Sequence, residues 1–395
     1  MLGNPNDDNF PKRVQRRRRD WHAERTWGAR AGGRWVATLA SEARTVTVPG
    51  CDGRTRDVSA DALTAVTVSA THRRRGLLTQ MLSASLAAAR ERGDAFSVLV
   101  AAEWPIYGRF GYAPAVCSAD YTYLSRHPSA KVTPARAGAV RQVDPAELGA
   151  LAPGVFDAAR RLRAGNVDRP GLWWPSRLGV DGFAAIHEGK APAYYLHDGA
   201  DGPDGLLAWA VTRDFELDGS LAAIEVRELV AASDEAYRDL WAFLGGIDVV
   251  SEIGLHGRPV DEPVRWLLPD GRALRQTYAG DHTWLRLLDV PAALTARGYA
   301  VPGRLVLEVV DDDLGGYGAG RFRLDADAEG AQCRATSAGA DLRLTQRALA
   351  SVYLGGHTLR GQRLSASVAE LTPGALGLAD AMFATPLAPW NATGF

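Results

Sequence analysis

Leu63-Thr-Ala-Val-Thr-Val-Ser69, Ala70-Thr-His-Arg-Arg-Arg-Gly-Leu-Leu78 and Ile106-Tyr-Gly-Arg-Phe-Gly-Tyr112 are the stretches that decide the fold. The first reads as a strand. It runs into a loop of Arg73, Arg74, Arg75 and Gly76, and the loop opens a helix. Leu77, Leu78, Met81, Leu82, Leu86 and Ala89 fall on one face of that helix. Its end is expected at Glu91-Arg92-Gly93, with Gly93 as a left-handed cap. Phe96–Ala101 then reads as a buried strand. Strand, loop, helix and strand form a βαβ-type unit, which requires a parallel or mixed sheet. At the loop, free backbone N–H groups and the positive helix end meet three arginines, a setting for a phosphate. Gly76 lets backbone and ligand approach closely because it has no Cβ.

Two common phosphate loops are excluded. No Lys-Ser or Lys-Thr follows Gly76, so this is not a nucleoside-triphosphate P-loop, and Gly-x-Gly-x-x-Gly is absent at the junction. Arg73-Arg-Arg-Gly76 at a helix start instead resembles the pyrophosphate loop of the GCN5-related N-acetyltransferases (GNAT). Paired with Ile106-Tyr-Gly-Arg-Phe-Gly-Tyr112 some thirty residues on, it closely resembles the enhanced-intracellular-survival (Eis) family of that superfamily. Val290-Pro-Ala-Ala-Leu-Thr-Ala-Arg-Gly-Tyr299, Ser351-Val-Tyr-Leu-Gly-Gly356 and the terminal Phe395 extend the resemblance over most of the chain.

The resemblance implies an α/β (α+β) architecture: two tandem GNAT-like domains, the second degenerate, and a sterol-carrier-protein-like α+β domain. The boundaries expected from the sequence are 1–127, 128–285 and 286–395. Arg34–Ala40 reads as a strand and Ala43–Val48 as its hairpin neighbour. Relatives place a further strand and helix before this point, and the Asn4–Asn9 opening does not look like a strand. In the second domain, Ile224–Val230 reads as a strand leading to a helix with Leu240, Trp241, Phe243 and Leu244. Asp234 and Glu235 stand where the first copy has arginines, and they would repel a pyrophosphate, so this copy is expected to be structural. In the third, Arg304–Val309 and Gly320–Leu324 read as half-exposed strands, and Gln346–Leu354 and Leu376–Phe383 as helices. The sterol-carrier name describes a fold, and lipid binding does not follow from it.

Composition narrows the classes. A chain of 395 residues calls for two or three domains, and its apolar fraction of 46% is ordinary for a globular protein. A formal net charge of −1 gives no global bias toward nucleic acid or membrane. Cys51, Cys117 and Cys333 are scattered, with no Cys-x-x-Cys, which suggests neither a disulfide framework nor a metal site. No 18-residue apolar run and no apolar leader is read, so a cytoplasmic location is expected. Lys12, Arg13 and Arg16–Arg19 form a basic run that supports the alternative reading, a nucleic-acid-binding or regulatory protein. The run lacks aromatic interleaving and is confined to the chain end, so its plainer reading is a solvated arm.

The resemblance implies an acetyl-CoA-dependent N-acetyltransferase acting on primary amines, aminoglycosides or lysine side chains among them, without a metal and assembled as a homohexamer. The acceptor would be a small molecule or a peptide. The pantetheine arm would pair with the backbone of Val66, Thr67 and Val68, with Ala102 and Glu103 just past the neighbouring strand. The pyrophosphate would meet Arg74, Arg75, Gly76, Leu77, Leu78 and Thr79. Tyr107 matches the family's catalytic tyrosine; a phenol with a pKa of about 10 is protonated at neutral pH and can donate to a departing thiolate. Tyr112 is its rival, in a setting that reads as turn packing. Arg109 could meet phosphate or carboxylate, and His72 is expected to orient or pack. Glu103 is a general-base candidate by position, whereas the resemblance places the C-terminal carboxylate of Phe395 in that part of the site.

Overall fold

A computed structural model describes residues 21–136, 138–171, 173–177, 192–216, 220–310 and 314–395, with Val14 and Arg18. The Asn-rich opening and, Arg18 apart, the basic run lie outside the described residues, as does the nucleic-acid reading that leans on that run. The chain divides into two units, one comprising Met1–Cys117, Arg163–Val167 and Asp281–Phe395, the other Ser118–Leu162 and Asp168–Gly280.

The first unit opens with strands β1 (Thr26–Ala31), β2 (Arg34–Pro49) and β3 (Thr55–Val68), helix α1 (Leu77–Glu91), strand β4 (Phe96–Val100) and the one-turn helix α2 (Trp104–Tyr107). β1, β2 and β3 are successively antiparallel, and β3 and β4 are parallel. The expected βαβ unit is therefore present. One expectation fails. Arg34–Ala40 and Ala43–Val48 are not a hairpin but one strand. Ser41 and Glu42 pair across to Leu63 and Ala62, and the Glu42 carboxylate takes the Arg44 guanidinium, so the backbone ladder runs through these polar residues instead of ending at them. A strand, β1, precedes Arg34, where the resemblance leads one to expect one.

α1 buries Met81, Leu82, Ser85, Leu86 and Ala89, the i, i+1, i+4, i+5, i+8 stripe of an amphipathic helix. Burying a leucine contributes roughly 1.5–3 kcal/mol, so Leu82 and Leu86 alone hold the helix more firmly than any loop contact. Gly93, at φ +84°, closes it as expected.

The second unit takes residues 118–124 of β5 (Ala113–Leu124), then β6 (Val140–Val143), α3 (Pro145–Arg160), α4 (Trp173–Arg177), β7 (Ala193–Gly199), β8 (Gly202–Arg213), β9 (Ala222–Ala231), α5 (Asp234–Gly245) and β10 (Val250–Arg258). Its strand order is β5-β10-β9-β8-β7-β6. β9 and α5 are the strand and helix expected from the sequence, and β10, parallel to β9, completes a second βαβ unit. Leu240, Trp241 and Leu244 of α5 join Ile224, Val226, Ile253 and Leu255 in its core.

The chain returns to the first unit in β11 (Leu274–Leu287), whose residues 283–287 lie antiparallel to β4. α6 (Val290–Ala296) follows, then β12 (Gly303–Val310), β13 (Gly320–Ala326), β14 (Ala331–Ala335), β15 (Leu342–Thr345), α7 (Gln346–Val352), α8 (Leu359–Gln362), β16 (Val368–Glu370) and α9 (Ala375–Phe383). These strands form a second sheet, β14-β13-β12-β15-β16. Arg297, fully buried, explains the Ala-Arg-Gly-Tyr stretch. Its guanidinium donates to the carbonyls of Gly298 (2.9 Å), Tyr353 and Phe383 (3.3 Å), tying three segments together.

Candidate active site

The site begins where two parallel strands part. β3 and β4 pair at Ala60–Phe96, Asp61–Ser97 and Ala62–Val98, and the ladder stops there. Leu63–Val68 continue with β2 on one side and no β4 partner on the other. A bulge opposite Leu39 accompanies the parting. Ala65 takes φ +53°, a left-handed conformation unusual for a residue with a Cβ, and its carbonyl accepts a hydrogen bond from Thr38 Oγ1 at 3.0 Å. The bulge resets the alternation, so that Leu63, Val66 and Val68 all pack with Leu82, Leu86 and Leu99 on the α1 side of the sheet. Ala60, Ala62, Phe96 and Val98 belong to the core on the opposite face. Val66, Thr67 and Val68 thus have no β4 partner, and Ala102 and Glu103, just beyond β4, are exposed.

β3 leads directly to the arginine loop. Arg74 adopts φ +61° and Gly76 φ +76°, and Gly76 occupies the N-cap position of α1 with no side chain capping the helix. The first helical bond is Gln80 N–H to the Gly76 carbonyl at 3.0 Å. The N–H groups of the first turn are those a helix leaves to an outside partner. Arg73, Arg74 and Arg75 are exposed around them, with Arg75 Nη2 resting on the Thr71 carbonyl at 3.1 Å. Leu77 and Leu78 are half-buried beneath the turn and Thr79 is exposed. His72 is half-buried and bonds Thr71 Oγ1 through Nδ1 at 2.9 Å, a packing role as expected.

The corresponding helix of the second unit differs at this point. Ser233 caps α5, its Oγ accepting from Ala236 N–H at 3.0 Å, and Asp234 and Glu235 occupy the first turn. The donors that α1 leaves open are met here by the chain's own side chain, and the added charge is negative.

The two tyrosines separate cleanly. Tyr112 is fully buried and its hydroxyl donates to Ser97 Oγ at 2.7 Å, which in turn donates to the Asp61 carbonyl at 2.9 Å. Tyr107, at the end of α2, is 8% exposed, rests edge-on against Tyr112 with centroids 6.1 Å apart, and has no hydroxyl hydrogen bond among the described residues. Burial raises the pKa of both phenols. Tyr112 is thus a packed, bonded core residue, as its turn setting suggested, while Tyr107 keeps its proton available. Arg109 is exposed, with its guanidinium over the Phe110 ring at 4.8 Å. Glu103 is exposed at the N-cap of α2 and makes no capping bond.

The C-terminal tail is docked. Trp390 N–H donates to the Ala164 carbonyl at 2.9 Å. Asn391 and Thr393, each 1% exposed, hold Val167 between them, Asn391 Oδ1 accepting its N–H at 3.2 Å and Thr393 Oγ1 donating to its carbonyl at 2.8 Å. Asn391 Nδ2 also donates to Thr283 Oγ1 at 3.1 Å, and Thr283 pairs with Val100, the last residue of β4. The tail is therefore fixed beside the strand end from which Ala102 and Glu103 follow. Phe395, four residues further, lies within about 14 Å of Asn391 by chain length; its side chain packs against the core that contains Val46, Val98 and Leu285.

Several residues of this site carried no signal in the sequence reading. Buried Asp61 pairs with Arg25 at 2.9 Å and Arg92 at 2.7 Å beneath α1. Arg286 is wholly buried beside the tyrosine turn, and a charged residue within the apolar run Trp284–Leu288 is the mark that could have found it. In the second unit, ligand-type atoms of His197, Glu235 and Asp239 lie within 4.8 Å of one another. They are already engaged. His197 bonds Asp204 at 2.6 Å and Asp239 at 3.1 Å, Asp239 also accepts the Ala135 N–H at 2.5 Å, and Glu235 pairs with Arg136 at 3.4 Å. The cluster pins the unit together.

The comparisons agree with this geometry. Residues 3–115 and residues 165–287 each match an Acetyltransferase (GNAT) domain family, and residues 290–392 match the Sterol carrier protein domain family. An N-acetyltransferase of Streptomyces griseus is 41% identical over 374 residues, 93% of this chain and 88% of that one. N-acetyltransferase Eis of Mycobacterium tuberculosis is 34% identical over 302 residues, covering 75% and 70%. The crystal structure of Eis1 from Mycobacterium abscessus superimposes with a TM-score of 0.82 at 35% identity, over 94% of this chain and 90% of that one. A GCN5-related N-acetyltransferase from Anabaena variabilis shares the fold, with a TM-score of 0.80 at 22% identity over 98% and 93%. Parted strands, fold and matches define a GNAT-class acetyltransferase with a C-terminal sterol-carrier-like domain. Within that class the chain belongs to the Eis family of N-acetyltransferases.

Proposed function

We propose that this acetyltransferase takes its acetyl group from acetyl-CoA and gives it to primary amines. The observation that carries the reading is the parting of β3 and β4 after Ala62 and Val98, directly upstream of an arginine-rich, uncapped helix start. Arg74, Arg75 and the N–H groups of Gly76, Leu77, Leu78 and Thr79 meet the pyrophosphate. The backbone of Val66, Thr67 and Val68, with Ala102 and Glu103 opposite, takes the pantetheine arm as an added strand. These assignments place catalysis in residues 1–127, leave 128–285 without cofactor, and give 286–395 the task of supplying the terminal carboxylate.

In the reaction, the lone pair of the neutral amine attacks the thioester carbonyl carbon. The C–S bond breaks, sulfur keeps the electron pair, and Tyr107 Oη supplies its proton. The nitrogen loses a proton to water as the amide forms, and water returns a proton to the Tyr107 phenolate. A free primary amine titrates near 10 and an α-carboxylate near 3.5, so about six units separate them and the Phe395 carboxylate is a poor direct base. Its role here is to hold the acceptor's ammonium while the proton leaves through water. Glu103 is the second carboxylate of the site.

Incubation of the full chain with acetyl-CoA and a panel of monoamines, aminoglycosides and lysine peptides, followed by mass spectrometry, tests this. Transfer of one or more acetyl groups to amine nitrogen is expected. Thioester consumption with no acetylated amine across the panel contradicts the assignment. The resemblance also carries assembly as a hexamer, with which light scattering at micromolar concentration must agree; a monomer contradicts that part.

A further inference from the structure

Tyr107 is held by its neighbours; among the described residues its hydroxyl has no partner. The segment from Tyr107 to Tyr112 folds back on itself, Tyr112 N–H donating to the Tyr107 carbonyl at 3.3 Å and Gly111 N–H to the Gly108 carbonyl at 3.1 Å. One end of this turn is fixed through the Tyr112 ring and Ser97. The other grip comes from β11. Arg286, with no exposed surface, donates through Nη1 to the Phe110 carbonyl and through Nη2 to the Leu314 carbonyl at 2.5 Å, with the Tyr317 ring 5.6 Å from its guanidinium carbon. Gly111 makes room for it: at φ +83° a Cβ there would stand 2.9 Å from Arg286 Nη1 and 3.0 Å from its Cζ. The glycine in Phe-Gly-Tyr thus answers both a left-handed turn and a guanidinium laid against the backbone.

We infer that Arg286 is a positioning residue for the proton donor: by holding the Phe110 carbonyl it fixes the turn that aims the Tyr107 hydroxyl at the departing sulfur. The inference rests on the reading of Tyr107 as donor. A donor whose hydroxyl has no bond among the described residues depends on its support for alignment, and misplacement by about 1 Å costs on the order of 10²-fold in rate.

A double-mutant cycle tests it. Arg286→Gln and Arg286→Lys are made in the native chain and in Tyr107→Phe, and kcat, the acceptor KM and acetyl-CoA affinity are measured. In the native background Arg286→Gln is expected to lower kcat by roughly 10- to 100-fold, with acceptor KM and acetyl-CoA affinity little changed and Arg286→Lys partly restoring the rate. In the Tyr107→Phe background the same substitution is expected to cost almost nothing, because the group it aligns is gone. An equal fractional loss in both backgrounds overturns the inference and makes Arg286 a general structural anchor. Should Arg286→Gln fail to fold, Gly111→Ala enters the same cycle, since its Cβ displaces the guanidinium, and the same dependence on Tyr107 is required of it. Tyr107→Phe alone with undiminished kcat removes the donor reading itself, an outcome distinct from additivity in the cycle.

Discussion

Tyr107→Phe lowers kcat by roughly 10²–10⁴-fold, the scale of general acid catalysis, and leaves acetyl-CoA affinity intact. The phenol is assigned to the leaving thiolate and not to binding, so the loss falls on the chemical step. Tyr112→Phe, whose hydroxyl is spent on Ser97 inside the core, has the smaller effect on kcat. The pH profile carries a second signature. Burial raises the Tyr107 pKa, and the protonated phenol is the active form, so the donor persists beyond an ordinary tyrosine's pKa of about 10 and is lost only as pH rises through the raised value. That alkaline limb disappears in Tyr107→Phe. A larger loss from Tyr112→Phe, or an unchanged limb in Tyr107→Phe, reverses the assignment of the two rings.

Deleting Phe395, or adding one or two residues after it, collapses acetylation by on the order of 10²-fold or more while acetyl-CoA affinity holds. The tail is anchored upstream, at Trp390, Asn391 and Thr393, by bonds to Ala164, Val167 and Thr283. Those anchors survive either change, so the melting temperature is expected to hold on extension and to fall only by the share of the half-buried Phe395 ring on deletion. The carboxylate does not stay in place, since each added residue moves it by about 3.5 Å. Steady-state turnover beside a thermal melt separates the two. Full turnover by a C-terminally extended chain rules out the role given to Phe395 and leaves Glu103 as the carboxylate of the site.

The β3–α1–β4 unit was legible because its signals are local: apolar spacing, an arginine-glycine junction and a glycine cap at Gly93. The same holds for β9 and α5, where Asp234 and Glu235 mark a helix start unsuited to phosphate; β10 carries no comparable local signal. β2 was read as two strands because Ser41-Glu42 looks like a break; cross-strand pairing and the Arg44 contact, both tertiary, carry the strand through. The bulge that accompanies the parting of β3 and β4 falls on Ala65, a residue with no preference for a left-handed backbone, so nothing in the sequence marks it. The partners of the tail could not be read either, since Asn391, Thr393 and Val167 meet across more than two hundred residues. Tyr107 and the arginine loop stand in the paired motifs; Arg286, which grips the Phe110 and Leu314 carbonyls, belongs to no motif.

The most direct measurement is calorimetric titration of acetyl-CoA into the native chain and into Arg75→Glu/Gly76→Asp. The double substitution reverses a charge at the uncapped start of α1 and sets a carboxylate against the N–H groups of its first turn, at a position whose φ is +76°. Both residues are exposed, so the fold is expected to survive and a thermal melt verifies it. Saturable binding to the native chain and none to the folded variant is the predicted result. Equal affinity for the two, or no binding to either, contradicts the account.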